Sequence, residues 1–365
     1  MKKAALFGVT LAAMAVPAMV QAQGVKLYGK VNVAAEHVSA QDENGVPLFN
    51  VPPLLADRTA TWALTSYASR LGVKGDLDLE VGGLQGFYKA EYQIAVDDGA
   101  NSNGREFSQR DIYAGLRGSF GELKAGRFNS PFKKSEGPVD QFNDYATDMG
   151  ELMVGQDRFS NIIQYSTPEI ADALVVNVAG IANENQDDFD VPGDQQNENT
   201  LADTVSASVV YDKGGLYAAA AISRNQLDDL VLGDADNPAG KTDTIDIARV
   251  ALGLKVGDVQ LGALYQRAEE NDRDPVTGFA GEEDTALVSG ALTVERFTFK
   301  AQHQRTHGDS PADAKALSTS VGVDFALGKM SKLYGYYGMV EIEPASRFQP
   351  TAELDIASVG LEHKF

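Results

Sequence analysis

The chain has 365 residues, no cysteine, and 52 Asp and Glu against 31 Lys and Arg, for a formal charge of −21. These values exclude a disulfide framework, a thiolate metal site and a cysteine nucleophile. They also argue against a nucleic-acid partner, which needs a basic face.

Met1-Lys2-Lys3 is a basic start, Ala4 to Val20 is a small-residue apolar stretch, and Val20-Gln21-Ala22 has the small residues a signal peptidase reads. Residues 1–22 are therefore expected to be a cleaved signal peptide and 23–365 a single exported domain. No later run of about 18 apolar residues occurs, so no transmembrane helix is expected.

From residue 25 the pattern has period two. Val25, Leu27, Gly29, Val31 and Val33 alternate with Lys26, Tyr28, Lys30 and Asn32. Val250 to Val256 turns through Gly257-Asp258 into Val259 to Tyr265; Phe297 to Ala301 and Val321 to Leu327 repeat the alternation, and Ala357 to Phe365 closes it. Such spacing gives each strand one apolar and one polar face.

Connections alternate as well. Short Gly- and Asp-bearing turns (Asp76 to Gly83, Phe120-Gly121, Asp212 to Gly215, Gly257-Asp258) separate longer acidic ones (Ser39 to Asp57, Asn129 to Asp157, Asn183 to Thr200, Leu227 to Lys241, Glu269 to Glu283, His307 to Asp313). About sixteen strands with short turns at one end and long loops at the other, behind a signal peptide, specify an all-β transmembrane antiparallel barrel. Closure is required because hydrocarbon offers no partner for an unpaired backbone group. A soluble β sandwich or solenoid would have to bury Lys30, Lys74, Lys89, Lys255 and Lys300 at mid-strand positions. In a wide barrel these line water.

Several segments resemble the trimeric general porins of the Gram-negative outer membrane. They are Leu27-Tyr28-Gly29-Lys30, Ser69 to Gly75, Arg110 to Leu116 with Phe120 to Arg127, and Val359 to Phe365. The resemblance implies sixteen strands, short periplasmic turns, long extracellular loops, and a third long loop folded into the lumen. It also implies a homotrimer among outer-membrane lipid and lipopolysaccharide, passing ions and small hydrophilic solutes.

Asn129 to Asp157 is the longest unpatterned stretch, and Phe128, Phe132, Phe142, Tyr145, Leu152 and Met153 make it too apolar for a freely solvated loop. Its Glu136, Asp140, Asp144 and Asp148 recur every four residues, which would stack them on one face of a helix. They form either a solvated acidic face or the acidic wall of a pore constriction. By resemblance the basic wall comprises Arg70, Arg110, Arg158 and Lys30, with Glu91 holding the arginines apart. Arg110 shares parity with Ile112, Ala114 and Leu116. Either those apolar residues face inward, or a bulge shifts the face. For any one arginine a rim or interface position is the alternative.

The expected function is passive diffusion through a constriction of facing acids and bases that sorts by size and orients dipoles. The acid clusters of the outer loops predict mild cation preference at low salt. No cofactor is expected beyond loosely bound divalent cations at these loops. Rival readings are a solute-selective porin, a barrel hydrolase and an adhesin. A hydrolase would need a Ser–His pair on one face; His303 lies on its strand's apolar parity and His307 in a loop, so neither fits.

Overall fold

The structure, a computed structural model, describes residues 24–42, 62–99, 106–182, 200–228, 230–232, 244–271, 280–309, 313–343 and 351–365. The signal-peptide segment 1–22 lies outside them. Strands run β1 (Lys26–Asp42), β2 (Ala63–Ser66), β3 (Arg70–Asp78), β4 (Gln85–Ile94), β5 (Phe107–Gly118), β6 (Gly121–Asn129), β7 (Arg158–Ser166), β8 (Leu174–Ile181) and β9 (Thr204–Lys213). They continue as β10 (Leu216–Leu227), β11 (Thr244–Val256), β12 (Val259–Glu270), β13 (Glu282–Val294), β14 (Phe297–Asp309), β15 (Ala314–Ala326), β16 (Ser331–Glu343) and β17 (Ala352–Lys364).

β2 and β3 both pair with β1 and are two halves of one stave, interrupted at Tyr67–Ser69, where Ala68 takes a φ of 45°. Sixteen antiparallel staves therefore close the barrel, with β17 pairing β1 from Lys30↔Lys364 to Asp42↔Ala352. Among the described residues, closure leaves no strand edge exposed to lipid.

Parity sorts the two faces as the alternation predicts. Leu252, Leu254, Leu261, Val288, Phe299, Val321 and Val359 are exposed on the outer wall. The inner face of the same strands carries buried Arg249, Gln266, Gln302, Gln304, Thr306 and Ser320. Trp62, Tyr265, Tyr337 and Phe365 are exposed, as girdle aromatics should be. Tyr28 donates its hydroxyl to Glu91 at 2.8 Å inside the barrel, because it shares the inward parity of Lys30. His307 lies within β14 rather than in a loop, paired with Lys315 and Asp284. The register of β14 runs unbroken past it to Gly308, so the loop after β14 is shorter than expected.

The apolar core lies between the barrel wall and the segment joining β6 to β7. Phe142, Tyr145, Ala146 and Leu152 pack with Tyr67, Tyr334, Tyr336, Val340 and Ile356. Val139, Met149 and Met153 pack with Tyr217, Ala251, Leu264 and Leu287. Phe132 and Val154 meet Ile245, Ile247 and Ala268. Each large apolar side chain so buried contributes about 1.5–3 kcal/mol. The long loop is thus folded into the lumen, as its composition requires.

Candidate functional site

The infolded segment begins with a short helix α1 (Pro131–Lys134). Ser130 caps it, its hydroxyl accepting from Lys133 N, and Pro131 stands where its missing N–H costs nothing. The segment continues through turns to a 3₁₀ turn, Met149–Leu152, capped by Asp148. No helix spans Glu136 to Asp148, so the four-residue recurrence does not stack the acids as expected. Phe142, Asp140 and Met149 form a compact turn instead, in which Asp140 accepts from Phe142 N (2.8 Å) and Met149 N (3.2 Å).

Backbone groups taken out of water need partners, and inward polar side chains of the wall supply them. Gln304 Nε2 donates to Met149 O (3.0 Å), Gln266 Nε2 to Val154 O (3.1 Å) and Gln260 Nε2 to Pro138 O (2.9 Å). Gln302 Oε1 accepts from Gln141 N (2.8 Å), Ser206 Oγ from Phe132 N (3.0 Å) and Tyr336 Oη from Ala146 N (3.2 Å). At Gly137 (φ +57°) a Cβ would fall 2.3 Å from the Tyr217 ring, so only glycine allows this approach.

The loop narrows the lumen to a cavity of about 520 Å³ lined by β1, β3 to β7, Lys364 and Phe365 at the end of the chain, and the loop. Lys30 Nζ lies 2.6 Å from Asp144 Oδ2, and Arg70 Nη2 reaches the same oxygen at 3.6 Å. Arg110 Nε donates to Glu91 Oε1 (2.9 Å), and Lys89 Nζ lies 3.2 Å from Glu91 Oε2. Lys89 also reaches Asp111 Oδ2 (2.6 Å), whose Oδ1 accepts from Arg158 Nε (2.7 Å). Glu91 is buried yet satisfied on both oxygens, which is what makes a buried carboxylate tolerable.

The position of Arg110 follows from a β-bulge. The β4–β5 register passes from Ala90↔Ile112 to Tyr92↔Gln109, so Arg110 and Asp111 together oppose Glu91. One extra residue places both side chains inward while Ala114 and Leu116 remain exposed on the outer wall.

On the loop side, burial raises Glu136 to about 7, against the pull of Arg249 and Lys133. With its amide turned to satisfy both neighbours, Gln156 donates to Glu136 Oε2 (2.8 Å) and accepts from Arg249 Nη2 (2.7 Å). Burial also raises Asp148, although Gly150 N and Asp144 N donate to it. Burial pushes Asp144 up too, but Lys30 and Arg70 outweigh it and hold its carboxyl below the ordinary range. Asp140 is raised by burial and by the nearby Asp148.

Of the residues expected at a constriction, Lys30, Arg70, Arg110, Arg158, Glu91, Glu136 and Asp144 line this cavity. Asp140 does not; its carboxylate staples the loop to itself. Lys89, Asp111, Lys133, Lys134 and Asp148 also line it. Lys89 could have been found from its parity with Glu91, and Asp148 from its place in the acidic series. Asp111 could have been found as well, since its parity is opposite to that of the outward Ala114 and Leu116; it is Arg110 that only the bulge turns inward. The outer acid clusters at Asp187 to Asp194, Asp234, Asp236, Asp272 and Asp274 lie outside the described residues. Glu269, Glu282 and Asp284, which are described, converge on Arg267.

The family described as Gram-negative porin matches residues 8–344. The chain belongs to that family. Among its relatives is the major outer membrane protein P.IB of Neisseria meningitidis serogroup A, 26% identical over 376 residues and covering all of both chains. The P.IA protein of serogroup C is 24% identical over 93% of this chain and 95% of its own. The anion-selective porin of Comamonas acidovorans shares the fold with a TM-score of 0.68 at 22% identity, covering 93% of this chain and 99% of that one. OmpT of Vibrio cholerae, solved in a trimer form, superposes with a TM-score of 0.65 at 15% identity over 93% of this chain and 99% of that one. As a Gram-negative porin, the chain is a multi-pass barrel of the outer membrane, and its water-filled lumen is a channel for passive diffusion.

Proposed function

We infer that the eyelet around Lys30, Arg70, Lys89, Arg110 and Arg158 is the constriction that sorts ions and small hydrophilic solutes, and that it favours anions. The supporting observation is its charge: eight Lys and Arg side chains against five Asp and Glu line the cavity. Neutral Glu136 would widen that excess. The narrowest section carries most of the electrical resistance and the least screening water, so its sign outweighs that of a wide, salt-screened mouth. This reverses the cation preference expected from the acidic outer loops.

Loop acids face wall bases, with Asp144 as the point where the two sides meet. The resulting transverse field orients dipolar solutes. His303 is exposed on the outer wall, beside Thr319 Oγ1 at 2.8 Å, away from the lumen, which speaks against a Ser–His pair inside the barrel. The barrel works as a cleaved, exported homotrimer, its apolar outer face in lipid and its rim against lipopolysaccharide.

Single-channel recording in a planar bilayer under a KCl gradient tests this. A reversal potential of the anion-selective sign, with conductance in three equal steps, is the expected result. Equal flux of both ions, or cation preference, overturns the charge argument.

A further inference from the structure

Below the eyelet, toward the short turn Gly118–Gly121, the lumen holds a second cavity of about 500 Å³. Its volume is in the range of small-molecule sites. Lys124 of β6 and Lys134 at the end of α1 face into it, and Lys134 lines the eyelet as well. The two cations are poorly neutralised. Lys124 Nζ comes no closer than 3.9 Å to Glu122 and otherwise stands over the rings of Phe128 (4.5 Å) and Tyr113 (5.5 Å). Among the described residues, no carboxylate lies within ion-pair distance of Lys134. Arg117, at the rim, is already held by Asp76 at 2.8 Å.

The adjoining wall, running on from Lys124 across the neighbouring strands, is a ladder of neutral polar side chains. Ser166, Asn177 and Ser208 are directly opposed across β7, β8 and β9. Ser166 Oγ donates to Asn177 Oδ1 (2.7 Å), and Asn177 Nδ2 donates to Ser208 Oγ (3.1 Å). Gln164, directly opposite Lys124 across β6 and β7, donates to Ser166 Oγ (2.9 Å). Its amide oxygen has no partner among the described residues. Hydroxyls and amides in a row offer donors and acceptors together, which matches a solute carrying several hydroxyl groups. Two ammonium groups, Lys134 and a Lys124 whose carboxylate partner, the lining Glu122, stands 3.9 Å away, match a negative charge.

We propose that this cavity is a binding subsite for small organic anions that carry hydroxyl groups, with the charge between Lys124 and Lys134 and the hydroxyls along Gln164, Ser166, Asn177 and Ser208. The proposal deepens the channel reading and rests on it. Lys134 lines both cavities, so a solute drawn through the basic eyelet meets at the subsite a cation it has already reached. Passage of such solutes therefore saturates, while that of KCl does not.

The test is current interruption in a planar bilayer with three probes: gluconate, which has charge and hydroxyls; propionate, which has charge alone; and sorbitol, which has hydroxyls alone. Gluconate added on the short-turn side is expected to block with dwell times at least about tenfold longer than propionate, the value of one good contact set near 1.4 kcal/mol. Sorbitol should give no resolved block. Lys124→Gln and, separately, Asn177→Ala should each bring gluconate to the propionate level in barrels that still show heat-modifiable migration. Gluconate dwell times equal to those of propionate, or unchanged in both variants, overturn the subsite while KCl conductance keeps the channel reading intact. Folded protein without any KCl channel overturns both.

Discussion

Lys30 and Asp144, 114 residues apart, meet at 2.6 Å and tie the first strand to the tip of the infolded loop. Arg70 shares the same carboxylate. The pair therefore does two things: it holds the loop's acid against the wall, and it sets one negative charge against two wall cations of the eyelet.

Asp144→Asn keeps the shape and removes the charge. A unit charge about 6 Å from the permeation path in water-like dielectric is worth about 0.7 kcal/mol to each ion, with opposite sign for anion and cation, and so about tenfold in the anion-to-cation permeability ratio. The ratio should rise by that factor at low salt and by less at 1 M KCl, where screening is stronger. An unchanged reversal potential at low salt would show that Asp144 lies off the ion path.

The pH dependence has a definite sign. Glu136 is raised to about 7, so it is neutral below that value and charged above it. Asp148 moves in the same direction. Lowering the pH from 8 to 6 therefore removes negative charge from the eyelet, and anion preference should increase over that window. Glu136→Gln mimics the protonated state and preserves the contact with Gln156. It should show the low-pH selectivity already at pH 8, with a flatter response. A wild-type reversal potential constant from pH 6 to 8 would contradict this.

Much of the barrel was legible because period two is a local signal: each strand declares its faces without knowledge of its neighbours. The infolded loop was legible for a similar reason, since Phe132, Phe142 and Tyr145 had to be buried somewhere. What the sequence hid depends on register between strands. Arg110, on the parity of outward Ala114 and Leu116, turns inward only because β5 carries one residue more than β4 opposite Glu91. Gln302, Gln304 and Thr306 read as pore-lining residues by parity, yet they receive the loop's backbone, since what covers an inner face is not a local property. The spacing of Glu136, Asp140, Asp144 and Asp148 suggested a helix. The chain forms turns there because Asp140 and Asp148 bond backbone N–H groups nearby, the usual competition of aspartate with helix.

Glu91 is the anion that keeps two cations, Arg110 and Lys89, and the phenol of Tyr28 in place. Removing its charge leaves Arg110 and Lys89 short of a counter-ion and weakens the bond from Tyr28. Glu91→Gln should lower stability by about 1.5–3 kcal/mol, the range for hydrogen bonds to charged groups. It should also shift selectivity further toward anions. The unheated-to-heated transition on gels, followed as a function of temperature, measures the first effect and a KCl gradient the second. A variant as stable as the wild type would mean that Asp111 alone balances the cluster.

Tyr145 separates packing from hydrogen bonding. Its ring stacks on Tyr336 at 5.2 Å and lies against Tyr334 at 4.7 Å, with Lys300 Nζ 4.6 Å from its centroid. Its buried hydroxyl, by contrast, has no hydrogen-bond partner among the described residues. The ring should therefore matter and the hydroxyl should not. Tyr145→Ala opens a cavity between loop and wall and should cost about 3–5 kcal/mol. It should also unpin the loop, seen as increased open-channel current noise. Tyr145→Phe removes only a polar atom whose burial is uncompensated, so it should equal the wild type or gain up to about 1 kcal/mol. Loss of stability in Tyr145→Phe comparable to that in Tyr145→Ala would mean the hydroxyl, and not the stacked ring, holds the loop against the wall.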